Sequence, residues 1–369
     1  MKIYIIAGEA SGDLHGGNLI SALKQDDPNI ELRAWGGSKM EKAGANVVKY
    51  YHDLAFMGFV EVLKNLIPIL KNFKFAKKDI LSFQPDYLIL IDYPGFNLRM
   101  AKWAHKNKIP VIYYILPQIW AWNERRIKYL EKYTRTRLAI LPFEKSYYQN
   151  KNLFVHYVGH PLVEHIENFK KLNAEVLTSN HNTSELKTII ALLPGSRIQE
   201  IKKHVPLLIP LVQKNPSLHF ELALAPGLPD EIRQDLLHAF PQNFSITDNT
   251  YHLLSKAKCA VVCSGTATLE TALFNVPQIV FYRTNLVNYF IAKVLIKVKY
   301  ISLVNLILQK PLVTEVIYPI KQGKKLEEKF NELLKIDHQV PLCQGYDEIR
   351  AHLGNKRASK ECSKIIFNV

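Results

Sequence analysis

Short apolar runs of about five residues recur along this chain and set its plan. In the first half they are Ile3–Ala7, Tyr87–Ile91, Val111–Ile115, Leu138–Leu141 and Phe154–Val158, with Leu32–Trp35 as a second strand. In the second half they are Thr188–Leu193, Phe220–Leu224, Ala260–Cys263 and Gln278–Phe281. Most of these runs are apolar almost throughout rather than alternating, and helical patterns separate them. Strands of that kind are covered on both faces, as in a parallel sheet wound by crossover helices. Between the two series, Glu167 to Lys187 is polar, contains Asn-His-Asn-Thr-Ser and carries few large apolar residues, which marks a domain boundary. The pattern predicts an α/β protein of two Rossmann-like domains, residues 1–170 and 186–340, with parallel sheets facing across a cleft. Residues 341–369 form a further helical segment. Ligands in such a fold sit beyond the carboxyl ends of the strands.

The strand ends carry the candidate chemistry. The first strand runs into Gly8-Glu9-Ala10-Ser11-Gly12-Asp13 and then a helix. Small residues at such a turn let backbone N–H groups approach an anion, or simply allow the turn. This is not a dinucleotide fingerprint, and no acid closes the second strand, which disfavours a nicotinamide or flavin enzyme. The fourth strand delivers Asp92, placed either to take a proton from a substrate hydroxyl or to cap the following turn. In the second half, Leu193-Pro194-Gly195-Ser196-Arg197 follows a strand; its guanidinium suits a diphosphate, with a structural ion pair as the rival reading. Ser264-Gly265-Thr266-Ala267-Thr268-Leu269-Glu270 passes from strand to helix. It reads either as an anion seat with a carboxylate for ribose hydroxyls or as a plain capping cluster. No Asp-x-Asp pair occurs, so neither a metal nor any other cofactor is implied.

Charge and composition narrow the partners. With 48 Lys and Arg against 33 Asp and Glu, the net charge is +15, which points to an anionic partner or a lysine-rich surface. A nucleic-acid reader would carry its basic residues on a recognisable fold, and none is evident. Two stretches instead mix apolar and basic residues in a way that suits an anionic lipid leaflet or an amphipathic helix packed on its own sheet. One includes Phe56, Met57, Phe59, Val60, Leu63, Leu66 and Ile67 with interleaved lysines; the other spans Asn288 to Tyr300. Neither reaches the roughly 20 uncharged residues of a membrane span. The chain begins with an apolar run too short for a signal peptide. Its four cysteines lack metal spacing, which fits a reduced, cytoplasmic location.

Taken in order, these motifs resemble the lipid-A-disaccharide synthase family of GT-B glycosyltransferases over nearly the whole chain. The resemblance is carried by residues 7–13, Met57 to Leu63, Asp92 to Asn97, Ile119-Trp120-Ala121-Trp122, Leu141 to Lys145, Val158-Gly159-His160-Pro161, Leu192 to Arg197 and Ser264 to Glu270. It implies an inverting transfer from UDP-2,3-diacylglucosamine to 2,3-diacylglucosamine 1-phosphate (lipid X), giving a β-1,6-linked disaccharide 1-phosphate and UDP. Asp92 then matches the general base, and Glu9 and Ser11 match supporting residues. Arg197, Ser264, Gly265 and Thr266 match the diphosphate seat, Glu270 the ribose contact and Asn305 a further nucleotide contact. The segment around Met57 would take acyl chains at the inner-membrane surface, and a homodimer would exchange its ends near Gly345 to Val369. Leu116, Gln118, Val304 and Tyr318 depart from the family pattern. Other readings of the same residues are a UDP-N-acetylglucosamine 2-epimerase, a transferase of lipid-linked precursors, or a non-catalytic lipid- or nucleotide-binding protein.

Overall fold

The computed structural model describes residues 1–51, 66–174, 188–225, 228–284, 289, 298–318 and 323–369. These divide into two compact units, one of Met1–Pro161 with Asn355–Val369 and one of Leu162–Gly354. Each is built on its own parallel sheet.

In the first unit the strands are β1 (Lys2–Ala7), β2 (Glu31–Gly36), β3 (Asn46–Tyr50), β4 (Tyr87–Ile91), β5 (Val111–Tyr114), β6 (Thr136–Ala139) and β7 (His156–Tyr157). They lie in the order β3-β2-β1-β4-β5-β6-β7. The period of two along β1 divides the core. Tyr4 and Ile6 face a cluster with Trp35, Phe96 and Tyr113, while Ile3, Ile5 and Ala7 face one with Leu19, Leu23, Cys362 and Ile366. Both faces are thus buried, which is why these runs are continuously apolar. The helix Leu66–Phe83 is pinned to the first face by Arg33, whose Nε and Nη2 both reach Asp79 (2.9 and 2.5 Å).

The second unit holds β8 (Ile189–Leu193), β9 (His219–Ala223), β10 (Phe244–Thr247), β11 (Cys259–Cys263), β12 (Gln278–Arg283) and β13 (Thr314–Tyr318). Their order is β10-β9-β8-β11-β12-β13. The helix Pro161–Leu172 packs here: Phe169 meets the rings of Tyr251 and Phe274, and Lys170 Nζ donates to Leu273 O at 3.0 Å.

The last helix, Ala358–Phe367, returns to the first unit. Cys362 and Ile366 complete its second core face, and Ser363 Oγ donates to Asp26 at 2.6 Å. Gly159 explains how the chain gets there. Its φ is +91°, and a Cβ on it would lie 2.7 Å from the carbonyl oxygen of Lys356. Only glycine accepts both that conformation and that approach.

The strands absent from the sequence reading are β3, β10 and β13, each at an edge of its sheet. Edge strands are half-solvated, so β3 (Asn-Val-Val-Lys-Tyr) and β13 (Thr-Glu-Val-Ile-Tyr) mix polar with apolar residues and lose the signal that marks buried strands.

Candidate active site

In each sheet the strand order reverses once, and an open α/β sheet leaves a crevice at that point beyond its strand ends. In the first unit the reversal lies between β1 and β4, where Ala7 pairs with Ile91. The next residues along these strands are Gly8-Glu9 and Asp92. In the second it lies between β8 and β11, where Leu193 pairs with Val262, leading to Pro194–Arg197 and to Ser264–Thr266.

Asp92 is held chiefly through its backbone, with the Tyr93 N–H also reaching its carboxylate. Its φ is +45° and that of Tyr93 is +47°, two successive left-handed residues without glycine, a conformation that costs energy and needs support. The support is visible. The Asp92 carbonyl accepts from Asn97 Nδ2 at 2.8 Å and from the Tyr113 hydroxyl at 2.8 Å, and its N–H donates to Tyr114 O at 3.0 Å. Gly8 leaves the space that the Tyr93 ring fills; a Cβ there would lie 2.4 Å from it. Burial first, and the neighbouring Glu9 carboxylate second, push Asp92 from its ordinary 3.8 up to about 7. Glu9 stands at the N-cap position of the helix Ala10–Asp26 without a side-chain capping bond, and Ser11 is exposed in its first turn. Asp13 plays a different part: its buried carboxylate accepts from the N–H groups of Lys39 and Met40 at 3.2 and 3.0 Å, fixing the start of the next helix.

A second buried carboxyl lies nearby. Glu144 accepts from Trp120 Nε1 at 3.2 Å and from the N–H groups of Ile140 and Leu141 at 3.3 and 3.0 Å. It is 1% exposed, and burial outweighs these bonds and pushes it up to about 7, with the charge of Asp92 adding to the rise. Two motifs read separately in the sequence are one hydrogen-bonded pair.

In the second unit Arg197, Ser264, Gly265, Thr266 and Glu270 line a single cavity of about 340 Å³. Gly195 turns the chain with φ +115°, and the Glu200 carboxylate accepts from the Ser196 and Arg197 N–H groups at 3.2 and 3.3 Å. Buried His204 secures that turn. One ring nitrogen lies 2.6 Å from Pro194 O, the other accepts from Arg283 N–H at 3.2 Å, and burial holds the ring neutral by lowering its pKa. Among the described residues the Arg197 guanidinium makes one long 3.5 Å contact, to Glu200, and it is half-exposed. Opposite it begins the helix Thr266–Leu273, whose first N–H groups have no intrahelical acceptor and carry the positive end of its dipole. Glu270 accepts from the Tyr251 hydroxyl at 2.9 Å, and burial raises its pKa. Cys263 also lines the cavity, but burial pushes its thiol up to about 12, so it stays protonated.

Two residues are placed differently from the reading of their motifs. Ser264 borders the cavity, yet its N–H donates to Phe281 O at 3.0 Å and its hydroxyl to Ile301 O at 2.7 Å. The donors of Ser264 are thus committed elsewhere, and an anion here meets the backbone N–H groups that follow. Asn305 is 1% exposed and its amide is fully engaged: Nδ2 donates to Val313 O and Glu315 Oε1, and Oδ1 accepts from Leu312 and Val313 N–H, all within 2.8–2.9 Å. The structure does not bring it to the cavity wall.

Phe56, Met57, Phe59, Val60 and Leu63 lie outside the described residues, as does most of the stretch Asn288 to Tyr300. Leu66 and Ile67 open the helix Leu66–Phe83. That helix buries Phe73, Ala76 and Ile80 against its sheet and exposes Leu70, Phe75 and Leu81 beside Lys71, Lys74 and Lys78. Among the described residues no helix is long and apolar enough to cross a membrane.

Comparison with known proteins adds sequence relatives to this geometry. Residues 3–366 match the family described as lipid-A-disaccharide synthetase. A lipid-A-disaccharide synthase of Coxiella burnetii (strain CbuG_Q212) is 35% identical over 374 residues, covering all of this chain and 98% of the relative. Lipid-A-disaccharide synthase 1 of Legionella pneumophila (strain Philadelphia 1) is 39% identical over 327 residues, covering 85% and 83%. Among solved structures, the UDP-GlcNAc 2-epimerase of Neisseria meningitidis bound to UDP-GlcNAc superposes with a TM-score of 0.69 at 14% identity, covering both chains fully. A glycotransferase of kitacinnamycin superposes at 0.64 with 12% identity, covering 100% of this chain and 98% of that one. At such identities the structural likeness speaks to the fold alone, the two-domain GT-B type.

Proposed function

The chain belongs to the lipid-A-disaccharide synthetase family of glycosyltransferases, and from that premise we propose that it joins UDP-2,3-diacylglucosamine to 2,3-diacylglucosamine 1-phosphate. Asp92 takes the proton of the acceptor 6-hydroxyl as that oxygen attacks the anomeric carbon of the donor. The bond from that carbon to the UDP oxygen breaks on the opposite face, the configuration inverts, and UDP leaves as the anion. A base raised to about 7 suits this step, because it is ionised near neutrality yet still basic enough to hold the proton.

One observation carries the proposal: Arg197, the amides opening the helix Thr266–Leu273 and Glu270 share one cavity. A guanidinium and helix-start amides match a diphosphate, and a carboxylate beside them matches ribose hydroxyls. The charge on departing UDP is then met by fixed protein groups. Leu70, Phe75 and Leu81, exposed among lysines, support peripheral contact with an anionic membrane surface. A homodimer exchanging chain ends belongs to the same proposal, each copy trading the packing of Ala358–Phe367 on its own first unit for the same packing on its partner.

The test is product analysis after mixing the purified protein with the two acylated glucosamines, with and without a chelator. We expect disaccharide 1-phosphate and UDP in equal amounts in both. Release of UDP without disaccharide, or turnover of UDP-N-acetylglucosamine in preference to the acylated donor, would overturn it.

A further inference from the structure

The carboxylate of Glu315, on β13, gathers four donors from Ile301, Ser302 and the first turn of the helix Leu303–Leu308 that Ser302 caps. Ile301 N–H donates to Oε2 at 3.0 Å, and Ser302 N–H, Ser302 Oγ and Asn305 Nδ2 donate to Oε1 at 2.9, 2.7 and 2.9 Å. Asn305 closes the arrangement from the other side by accepting from the N–H groups of Leu312 and Val313, just before Glu315 in the chain. A segment that commits two backbone and two side-chain donors to one charged acceptor is held in a single conformation.

That segment reaches the cavity wall directly at Ser264 and, through buried Thr268, indirectly at Gly265. Its Ile301 carbonyl takes the Ser264 hydroxyl proton at 2.7 Å. Its Leu303 N–H reaches Thr268 Oγ1 at 3.3 Å, and the Thr268 proton goes on to Gly265 O at 2.8 Å. Ser264 and Gly265 are the residues that lead into the helix start at the cavity, and Gly265, with φ +155° and no side chain, has little of its own to fix it. Glu315 itself is not part of the cavity lining.

We infer that Glu315 is a positioning residue for the nucleotide seat, acting through Ile301, Ser302 and the start of the helix Leu303–Leu308 on Ser264 and Gly265. The inference rests on the reading of that cavity as the UDP site. It also fixes the polarity of Ser264: with its proton committed to Ile301, the hydroxyl oxygen meets a ligand as an acceptor. Asn305 then contributes as the brace that holds Glu315 and that segment together.

The test is a double-variant cycle read by calorimetric titration with UDP, alongside melting temperature. The proteins are the wild type, Glu315→Gln, Ser264→Ala, the pair combined, and Thr314→Ala as an exposed neighbour on the same strand. The wild type is expected to bind UDP, Glu315→Gln to bind about tenfold more weakly, and Thr314→Ala to bind as the wild type does. The combined variant should fall short of the product of the two single effects, because both act along one route. If Glu315→Gln does not fold, Ser302→Ala removes a single donor and enters the same cycle, with a smaller loss and the same shortfall expected. Unchanged UDP affinity in Glu315→Gln despite a lowered melting temperature would reduce the network to a structural one, and single effects that simply multiply would exclude the route through Ser264. A wild type that does not bind UDP would remove the reading of the cavity and this inference with it.

Discussion

The substitution Asp92→Asn removes a charge while keeping side-chain shape, and asparagine tolerates the left-handed backbone that this position requires (φ +45°). Stability and catalysis should then move in opposite directions. In the wild type the carboxyl rises from 3.8 to about 7, chiefly through burial and secondarily through Glu9. Below 3.8 it is protonated whether the protein is folded or not, so the favourable protonated form is fully in force. As pH rises the unfolded chain gives up the proton first, and the stabilisation is lost through about 7. At ~1.36 kcal/mol per pH unit the loss totals about 4 kcal/mol. A neutral asparagine escapes it. The variant should match the wild type near pH 3.5, exceed it by about 2 kcal/mol near pH 5.3, and by about 4 kcal/mol at pH 8. All four tryptophans (Trp35, Trp103, Trp120 and Trp122) lie in the first unit, so tryptophan fluorescence in urea follows the unit that contains Asp92. Turnover at pH 8 should fall about 10²–10⁴-fold, the usual contribution of a general base. A stability gap that does not change with pH, or a less stable variant at pH 8, would refute the electrostatic account. Unchanged turnover would remove Asp92 from the mechanism.

Three further outcomes follow from the same geometry. Glu9→Gln removes the like charge beside Asp92, so the acid limb of the pH–rate profile should move to lower pH; a limb that stays put would show that burial alone sets the base. Gly8→Ala drives a Cβ to 2.4 Å from the Tyr93 ring, and we expect a stability loss of about 1–3 kcal/mol by urea titration together with a fall in kcat. Glu144→Ala strands the buried donors of Trp120, Ile140 and Leu141 and should cost about 3–5 kcal/mol, with a change in tryptophan emission, while Glu144→Gln, which keeps an acceptor, should cost clearly less.

The buried strands and the places where chemistry gathers could be read from the sequence. A strand covered on both faces must be apolar at every position, so β1, β4, β5, β8 and β11 announced themselves. The turns after them, Gly8-Glu9, Asp92, Pro194–Arg197 and Ser264–Glu270, are therefore legible as strand ends from the sequence alone. What the sequence could not supply was partnership. Glu144 stands in the sequence only as part of the motif Leu141 to Lys145, and the fold alone sets it under Trp120. Ser264 and Asn305 have the residue types of ligand contacts, but the structure commits their donors to Ile301, Val313 and Glu315. Glu315 itself sits on an edge strand with no motif to mark it. The apolar face of Ala358–Phe367 shows that this helix packs on something, while its destination against β1 rather than in the unit just before it is a tertiary matter. Periodicity records which side of an element is buried because that is a property of consecutive residues. Which groups meet across that buried side depends on strand order and chain crossings, and these are settled only when the whole sheet is assembled.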